Sequence, residues 1–331
     1  MESHFTTRSL CTFVTVLFNG ASMGRGKALK RLRRDAAYLL IIAVVRLFRF
    51  LPRRAALTVG SILGRIVPSL FRTEYRLAID NLAIAFGKEK KPAEIHRLAR
   101  ESFRHAALNF VDTVRIGVMS PDEIMAVCVP HDLDRALEVV RKKTGVIGLT
   151  SHTGCWEMLG SYLALSGFPV AVIARKLYDP RLDELLYRSR VGVGARVIAR
   201  GEDTRDILRA LREGCILGIL IDQDTLVKGV FVDFFGRPAH TASAPAALAL
   251  RYGLPVLPIF TYRDRHHRHH ICVRDCIDME ESGDRERDVT TMTAKCSMAI
   301  EEFIREHPEQ WVWFHRRWKT RPEPTAGGDK P

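Results

Sequence analysis

Short apolar runs in the middle of the chain alternate with segments that have helical spacing. The apolar runs of strand length are residues 145–150, 169–174, 195–198, 215–221 and 256–262. The segments with helical spacing between them are residues 156–165, 181–190, 204–212 and 244–252. Apolar strands that alternate with helices are typical of a sheet covered by helices on both faces. The pattern therefore predicts an α/β fold with a mixed sheet flanked by helices.

Helical patterns also flank this region on both sides. Residues 73–119 repeat apolar positions at intervals of three and four. Ser120 then begins a further helix, with Pro121 at its first position and Glu123 completing a capping box. A long helix over residues 289–306 closes the fold. We expect a basic N-terminal extension, one large domain and a disordered tail, over residues 1–35, 36–322 and 323–331.

The N-terminal part of the chain has two apolar segments with basic residues close by. Residues 36–51 predict a helix of about four turns, on which Arg46 and Arg49 share a face. Residues 55–71 predict a second helix. Apolar helices with a basic rim fit a bilayer interface, where arginine side chains reach the lipid phosphates. We expect residues 36–71 to associate with a membrane; ordinary core helices are the alternative, and Met23 offers an alternative start.

The charge of the chain points to a polyanionic partner. Lys and Arg number 51 against 38 acidic residues, which gives a net charge of +13. Nucleic acid, an anionic membrane and an acidic protein would all suit such a charge, but no recognised nucleic-acid motif is present. The seven cysteines are scattered and odd in number, so they indicate reduced thiols rather than a disulfide framework.

His152 directly follows the predicted strand 145–150, at the kind of strand end where ligands gather in α/β sheets. Glu157 comes five residues later at the start of the next predicted helix, and Gly154 between them lets the chain turn tightly. This spacing can place a carboxylate against one imidazole nitrogen and leave the other facing a substrate. It predicts that His152 is a general base oriented by Glu157, although the bare spacing also describes a capping histidine with an unrelated glutamate.

Five blocks of residues occur in an order that reinforces this interpretation. The blocks are Arg76 with Asn81-Leu82 and Ala85-Phe86, His152 to Glu157, Arg175 with residues 182–186, Asp222 to Asp224 with residues 232–236 and 241–245, and residues 310–322. Together they resemble the lipid A biosynthesis acyltransferases, the lauroyl/myristoyl family within the wider lysophospholipid-type acyltransferases. The resemblance covers about residues 36–322.

The resemblance implies a glycerolphosphate-acyltransferase-like fold and a membrane-bound O-acyltransferase. Such an enzyme moves a fatty acyl chain from acyl carrier protein onto a hydroxyl of a lipid A precursor, at the inner membrane with its catalytic domain on the cytoplasmic face. Arg175 would lie near the sugar phosphates or the thioester oxyanion, or form a surface salt bridge. Asp222 and Gln223 would hydrogen-bond the site or support its loop. We expect acyl carrier protein and an anionic membrane lipid and glycolipid acceptor as partners, with no cofactor and no nucleic acid.

The closing block places His315, Arg316 and Arg317 after an aromatic run, where they bind phosphate or close the edge of the core. The sequence departs from the family pattern at Thr241-Ala-Ser-Ala and at Asp233. Both departures leave the His–Glu pair intact, so they bear on the identity of the acceptor rather than on acyl transfer. The alternatives are therefore an acyltransferase for another glycolipid or a lysophospholipid, and a non-enzymatic basic membrane-binding protein.

A run of histidines over residues 266–270 lies near Cys272 and Cys276. Its spacing is not that of a zinc site. Because it falls between two predicted strands, we expect a solvated hairpin loop, and we expect the protein to need no metal.

Overall fold

The computed structural model describes residues 27–142, 145–177, 179–199 and 204–322, with side chains from residue 34 onward. Its helices are α1 Lys27–Phe50, α2 Arg53–Leu70, α3 Arg72–Phe86, α4 Pro92–Ile116, α5 Pro121–Ala126, α6 Leu133–Arg141, α7 Trp156–Leu165, α8 Pro180–Gly192, α9 Thr204–Arg212, α10 Ala244–Tyr252 and α11 Arg285–Glu306. Its strands are β1 Cys128–His131, β2 Val146–Thr150, β3 Val170–Ala174, β4 Arg196–Ala199, β5 Ile216–Leu220, β6 Gly229–Phe234, β7 Arg237–Ala242, β8 Val256–Arg263 and β9 His269–Val273.

Seven of these strands form one sheet in the order β1-β9-β8-β2-β5-β3-β4. Strands β8, β2, β5, β3 and β4 run parallel, whereas β9 is antiparallel to β8 and is itself paired in parallel with β1. The sheet is therefore mixed and flanked by helices, which confirms the predicted fold class. Because β2 and β5 are parallel neighbours, the loops that follow their carboxyl ends lie side by side, and these loops carry His152 and Asp222.

Two hydrophobic layers cover the sheet. On one face, Val146 and Ile216 pack with Met158 and Leu159 of α7. On the other face, a larger core contains residues of α3, α4, α10 and α11 together with the buried Trp311. Alternate residues of each strand point to opposite faces, so α7 covers the face onto which the even-numbered residues of β2 and β5 point.

The N-terminal helices pack on α4 rather than standing apart. Ile41, Val45 and Phe48 of α1 are buried in a third cluster with residues of α2 and α4. The backbones of α2 and α4 approach closely at Gly60, where a Cβ would lie 2.6 Å from Val111 Cγ2. In the part of the chain that the structure describes, no helix is both long and apolar enough to cross a membrane. Association of residues 36–71 with a membrane therefore stays a prediction.

Most element boundaries agree with the hydropathy pattern, and the capping box of Ser120 and Glu123 is present. The pattern missed β1, α6 and the hairpin β6–β7. β1 has only four residues and contains Pro130, so it lacks a readable alternation. The hairpin depends on a tight turn in which Phe235 and Gly236 both have positive φ. The expected tail over residues 323–331 and most of the extension over residues 1–35 lie outside the described residues.

Candidate active site

His152 and Asp222 meet at the carboxyl ends of β2 and β5. His152 Nδ1 lies 2.7 Å from Asp222 Oδ1. Asp222 Oδ2 accepts hydrogen bonds from the His152 backbone N–H and from Trp311 Nε1–H, both at 2.7 Å. An ionised carboxylate can only accept, so Nδ1 carries the proton and Nε2 is the basic nitrogen. Asp222 makes the contact on Nδ1, whereas the sequence predicted that a carboxylate, that of Glu157, would lie against one of the two imidazole nitrogens.

Asp222 stays ionised although its side chain is fully buried. Burial by itself would raise the pKa of the carboxyl group, but the charge and hydrogen bond of the His152 imidazole and the Trp311 N–H outweigh it. Together they lower the pKa of Asp222 to about 2. The carboxylate is therefore a permanent negative charge against the imidazole at any ordinary pH.

Glu157 lies at the first turn of α7 and is bound by a guanidinium from α8. Arg190 Nε donates to Glu157 Oε2 at 2.9 Å, and Arg190 Nη2 donates to Oε1. Burial would raise the pKa of Glu157, but the Arg190 charge prevails and the pKa is lowered, with a smaller contribution from the charge of His152. Glu157 is thus a second ionised carboxylate near His152, held by Arg190.

The loop between β2 and α7 has a conformation that requires glycine at one position. Gly154 has a φ of +61°, and a Cβ there would collide with the carbonyl of Thr261. Its carbonyl accepts from Asn109 Nδ2 at 2.7 Å, and its N–H donates to the carbonyl of Gln310 at 3.3 Å. Gln310, the last residue of the 3₁₀ turn Pro308–Gln310, thus supports the loop that carries His152, and the next residue, Trp311, supports Asp222.

A cavity of 920 Å³ opens beside His152. This volume is at the upper end of the range of ligand pockets. Trp156 stands at its edge, with its ring 4.8 Å from the His152 ring. Most of its lining is apolar and includes residues of β2, β3, β5, α7 and α8. The arrangement places an imidazole with a carboxylate partner beside a largely apolar cavity.

The other predicted site residues fall into two groups. Arg175, Gln223, His315 and Arg316 line the cavity, and both arginines are exposed. Arg317 is 1% exposed, and its guanidinium donates to the His240 carbonyl and to Thr241 Oγ1. Arg317 therefore closes the core edge, the second of its two predicted roles, and its position does not support binding of substrate phosphate.

His315 braces the site besides lining the cavity. Its Nε2 accepts from the Asp224 N–H at 3.0 Å, and its carbonyl accepts from Asn81 Nδ2 at 2.7 Å. Asn81 also donates to the Trp313 carbonyl at 2.6 Å. The first and last of the five sequence blocks thus contact each other and hold the end of the chain against the site.

The histidine run is not a solvated loop over its whole length. His269 and His270 belong to β9, and His269 is fully buried with its Nε2 2.9 Å from Asp112 Oδ2. Asp112 also accepts from Arg53 Nε at 2.9 Å and from Arg263 Nη1 at 2.6 Å. The expectation was wrong for His269 because tertiary packing supplied an ionic partner from α4. Among the described residues, no group of three or more His, Cys, Asp or Glu side chains is placed to hold a metal ion.

Sequence reasoning did not single out Arg190 or the hydrogen bond of Trp311. Arg190 carries no local signal, because its partner lies in another helix. Trp311 stands in the closing block, so its position in the motif could have indicated it. Cys155, three residues from His152, is no competing nucleophile, because burial raises the pKa of its thiol to about 11.

The fold and this site are those of an α/β protein with a histidine–carboxylate pair beside a largely apolar cavity. Comparison with known proteins is more specific. A family model described as "Bacterial lipid A biosynthesis acyltransferase" matches residues 23–320, and the chain belongs to that family. The protein is therefore an acyltransferase, which confirms the predicted enzyme class and excludes the non-enzymatic alternative.

Individual relatives agree with the family. The chain is 27% identical over 262 residues to the lipid A biosynthesis myristoyltransferase of Escherichia coli K12, covering 78% of this chain and 79% of the relative. It is 24% identical over 283 residues to the lipid A biosynthesis palmitoleoyltransferase of the same organism, covering 85% and 90%. It is 23% identical over 243 residues to the phosphatidylinositol mannoside acyltransferase of Mycolicibacterium smegmatis, covering 72% and 77%.

Proposed function

We propose that the protein transfers a fatty acyl chain from acyl carrier protein to a hydroxyl of a lipid A precursor at the membrane surface. The observation that carries the proposal is the ionised Asp222 on Nδ1 of His152, a residue that lines a largely apolar cavity of 920 Å³. A carboxylate on Nδ1 leaves Nε2 as the nitrogen that accepts a proton. The cavity suits an alkyl chain, and the substrate names of the relatives suggest the acceptor.

In the proposed reaction, His152 Nε2 removes the proton of the acceptor hydroxyl as its oxygen attacks the thioester carbonyl. The new C–O bond forms, the C–S bond breaks, and the proton passes from the imidazolium to the departing thiolate. Asp222 orients the ring and stabilises the imidazolium. Glu157, held by Arg190, adds a second negative charge near the same ring. The proposed mechanism therefore uses two carboxylates where the sequence predicted one. Asp222 bonds His152 itself, and Glu157 bonds Arg190.

Exposed cations that line the cavity suit the phosphates of a lipid A precursor. Arg175 and Arg316 both line it and are exposed, and a guanidinium can contact two phosphate oxygens at once. Placing the phosphates outside keeps their charge in water, while the acyl chain occupies the apolar part. The same cations would also suit a phosphatidylinositol mannoside, so the acceptor has to be tested directly.

The test incubates detergent-solubilised protein with acyl carrier protein thioesters and each candidate acceptor in turn, with products identified by mass spectrometry. The acceptors are a bisphosphorylated lipid A precursor, a phosphatidylinositol mannoside and a lysophospholipid. We expect a product whose mass equals that of the lipid A precursor plus one acyl chain less water. If only the mannoside gives product, the protein acts on that class of acceptor instead. If none of the acceptors gives product, the proposal is contradicted.

Electrostatic attraction should make the donor reaction sensitive to salt. Acyl carrier proteins are acidic and this chain carries a net charge of +13, so their encounter is favoured at low ionic strength. Raising salt from about 0.1 M to about 1 M shortens the Debye length from about 10 Å to about 3 Å. We expect kcat/KM for the carrier-bound donor to fall, while kcat at saturating donor changes little. A flat profile, or equal use of acyl-coenzyme A, would contradict a carrier-protein donor.

Exposed apolar side chains on α1 and α2 support membrane association. On α2, Ile62, Ile66 and Leu70 recur every four residues and so share a face. On α1, Leu39 and Phe50 are three turns apart, and Phe50 is 88% exposed. Arg46, Arg54 and Arg65 are exposed on the same two helices. Such a surface is typical of helices that lie in the lipid headgroup region.

Charge substitutions on this surface should release the protein from membranes. We expect the combined variant Leu39→Asp, Phe50→Asp and Leu70→Asp to bind anionic phospholipid vesicles at least about tenfold more weakly, since a fully buried large apolar side chain contributes about 1.5–3 kcal/mol. Vesicle sedimentation at constant salt measures the affinity. The matched control is Met298→Asp, because Met298 is an exposed apolar residue of α11, 57% exposed. Equal binding of the triple variant and wild type would exclude this surface.

Deleting the segment would be a poorer test than substituting its surface. Val45 and Phe48 are core residues, and Arg53 bonds the buried Asp112. A truncation through residue 54 would therefore destabilise the fold as well as remove the proposed membrane contact.

A further inference from the structure

One part of the cavity, the arm, is lined by strands β2, β5 and β3 on one side and by helix α7 on the other. The strand side forms its floor and α7 its roof, and at one position along the floor two neighbouring strands carry glycine. Gly148 of β2 and Gly218 of β5 are paired in register, and Val172 of β3 is the next partner of Gly218. All three line the cavity. They point to the α7 side, because they alternate with residues that pack on the opposite face of the sheet. A Cβ at Gly148 would lie 2.7 Å from Ile216 Cγ2, whereas a Cβ at Gly218 would make only an ordinary contact, 3.5 Å from Val172 Cγ1, so the space at this level lies over Gly218.

The roof of the same arm also has a glycine, Gly160, in the middle of α7. Glycine is unfavourable in a helix interior because it loses more conformational freedom than alanine. Gly160 has ordinary helical backbone angles, and a Cβ there would meet no atom within 4 Å. Neither backbone conformation nor packing therefore requires glycine at this position. What a side chain at Gly160 would remove is space in the cavity.

The distance of Gly218 and Gly160 from the His152 end of the arm follows from the rise per residue of strands and helices. Thr150 and Leu220 form the upper pair of the floor, next to His152, and Val146 and Ile216 form the lowest pair. Four residues of strand separate these levels by about 13 Å. On the roof, Gly160 comes four residues after Trp156, which is about 6 Å along the helix. Gly160 therefore lies at about the same depth as Gly218, which is two strand residues, or about 7 Å, from Leu220.

We propose that the transferred acyl chain lies in this arm and that Gly160 determines the chain length the enzyme accepts. The proposal rests on the acyl transfer proposed above. With the thioester carbonyl at His152, the alkyl chain runs down between the floor and α7 and passes the glycine level. The lower part of the arm is lined by apolar side chains, among them Leu163, Val170 and Ile216. Ser161 also lines the arm, but its hydroxyl donates to the Glu157 carbonyl at 2.8 Å.

The test compares Gly160→Leu with wild type in a competition assay. The enzyme receives an equimolar mixture of carrier-bound chains from octanoyl to stearoyl with a lipid A precursor in excess, and mass spectrometry gives the relative kcat/KM of each chain. Leucine fills the arm at its midpoint, so we expect the preference to move to shorter chains. The ratio of the wild type's preferred chain to a chain a few methylenes shorter should fall at least tenfold, since one methylene in an apolar pocket is worth roughly 10- to 200-fold.

The matched control is Gly192→Leu, the same substitution at an exposed helical glycine outside the cavity, where a Cβ also meets nothing within 4 Å. It should keep the wild-type chain profile. Thermal unfolding of each variant checks folding, and Gly160→Leu should not lower Tm, because leucine favours helix. If it does unfold, Gly218→Ala provides the same test from the floor, since its Cβ would lie 3.5 Å from Val172 Cγ1, an ordinary contact.

The outcomes separate this inference from the proposed function. Transfer by wild type from none of the donors would contradict the function itself. Transfer with an unchanged chain profile in folded Gly160→Leu would overturn the inference while the function stands. A variant that keeps the donor profile but discriminates differently among acceptors would show that this arm holds the acceptor chain, which also overturns the inference.

Discussion

His152→Ala should lower kcat by about 10²–10⁴-fold, which is the usual contribution of a general base. A hydroxyl has a pKa far above 7, so it attacks a thioester poorly unless its proton is removed as the bond forms. Acyl transfer from a carrier-bound donor to the lipid A precursor measures the loss. The His152 side chain is 12% exposed and pairs with the buried Asp222, so its removal should lower the melting temperature somewhat; Asp222 keeps the N–H groups of Trp311 and of the residue 152 backbone, and the variant should stay folded at the assay temperature.

The competing explanation is that His152 only holds the turn between β2 and α7. That explanation predicts that activity and melting temperature fall together, and that vesicle binding weakens as the fold loosens. Normal turnover by a folded His152→Ala variant would contradict the mechanism, whatever family the chain belongs to. A variant that folds and binds vesicles but does not turn over would support it.

Asp222→Asn should cost about as much as His152→Ala, on the order of 10²–10⁴-fold in kcat, because it changes the tautomer of the imidazole. Asp222 Oδ2 accepts two N–H groups, from the His152 backbone and from Trp311. In asparagine the amide oxygen is needed at that position, so the amide NH₂ faces His152 Nδ1. Nδ1 must then accept, the proton moves to Nε2, and the ring can no longer act as a base there.

The pH dependence of Asp222→Asn separates a changed tautomer of His152 from a mere shift in the pH profile of activity. The pKa of Asp222 is about 2, so the wild-type carboxylate is ionised throughout the range in which activity is measured. The loss in Asp222→Asn should therefore persist from acidic to alkaline pH, and kcat should fall more than KM rises. The double variant with His152→Ala should be little worse than either single one, because the two residues act as a unit.

Comparison with Glu157→Gln decides which carboxylate orients the base. If Glu157 alone did so, Asp222→Asn would keep nearly normal kcat and Glu157→Gln would not. In the mechanism proposed above, Glu157→Gln loses charge near the ring and weakens the bond to Arg190, but the tautomer imposed on Nδ1 by Asp222 is kept. The comparison requires the turnover of His152→Ala, Asp222→Asn and Glu157→Gln, each at one subsaturating donor concentration and at saturating donor.

Much of the fold was readable in the sequence because strands and helices leave local periodicity. The bounds of α7, α9 and α10 agree with the hydropathy pattern residue for residue. The strands that the pattern missed lack such a signal: β1 is short and contains a proline, and β6 and β7 pair only with each other. The order of strands in the sheet was not readable, because it depends on crossovers between segments distant in the chain.

The chemistry of the site divides in the same way. The position of His152 after an apolar strand, with Gly154 next to it, is a property of neighbouring residues and indicated the base. The partner of that base is 70 residues away in the chain, and only the parallel pairing of β2 with β5 brings Asp222 to Nδ1. The role expected of Glu157 was assigned by nearness in sequence, whereas the fold turns its carboxylate to Arg190 of α8.

By itself, the sequence determined the α/β class, most of the elements and the resemblance to lipid A acyltransferases, and it predicted the histidine base, because each of these depends on local patterns and ordered motifs. Only the tertiary structure decided the hydrogen-bond partners of His152, the burial of Arg317 and His269, and the part of the cavity lined by Gly160 and Gly218. These features depend on which distant segments pack together, and side-chain burial, pKa and cavity shape are set by that packing rather than by neighbours along the chain.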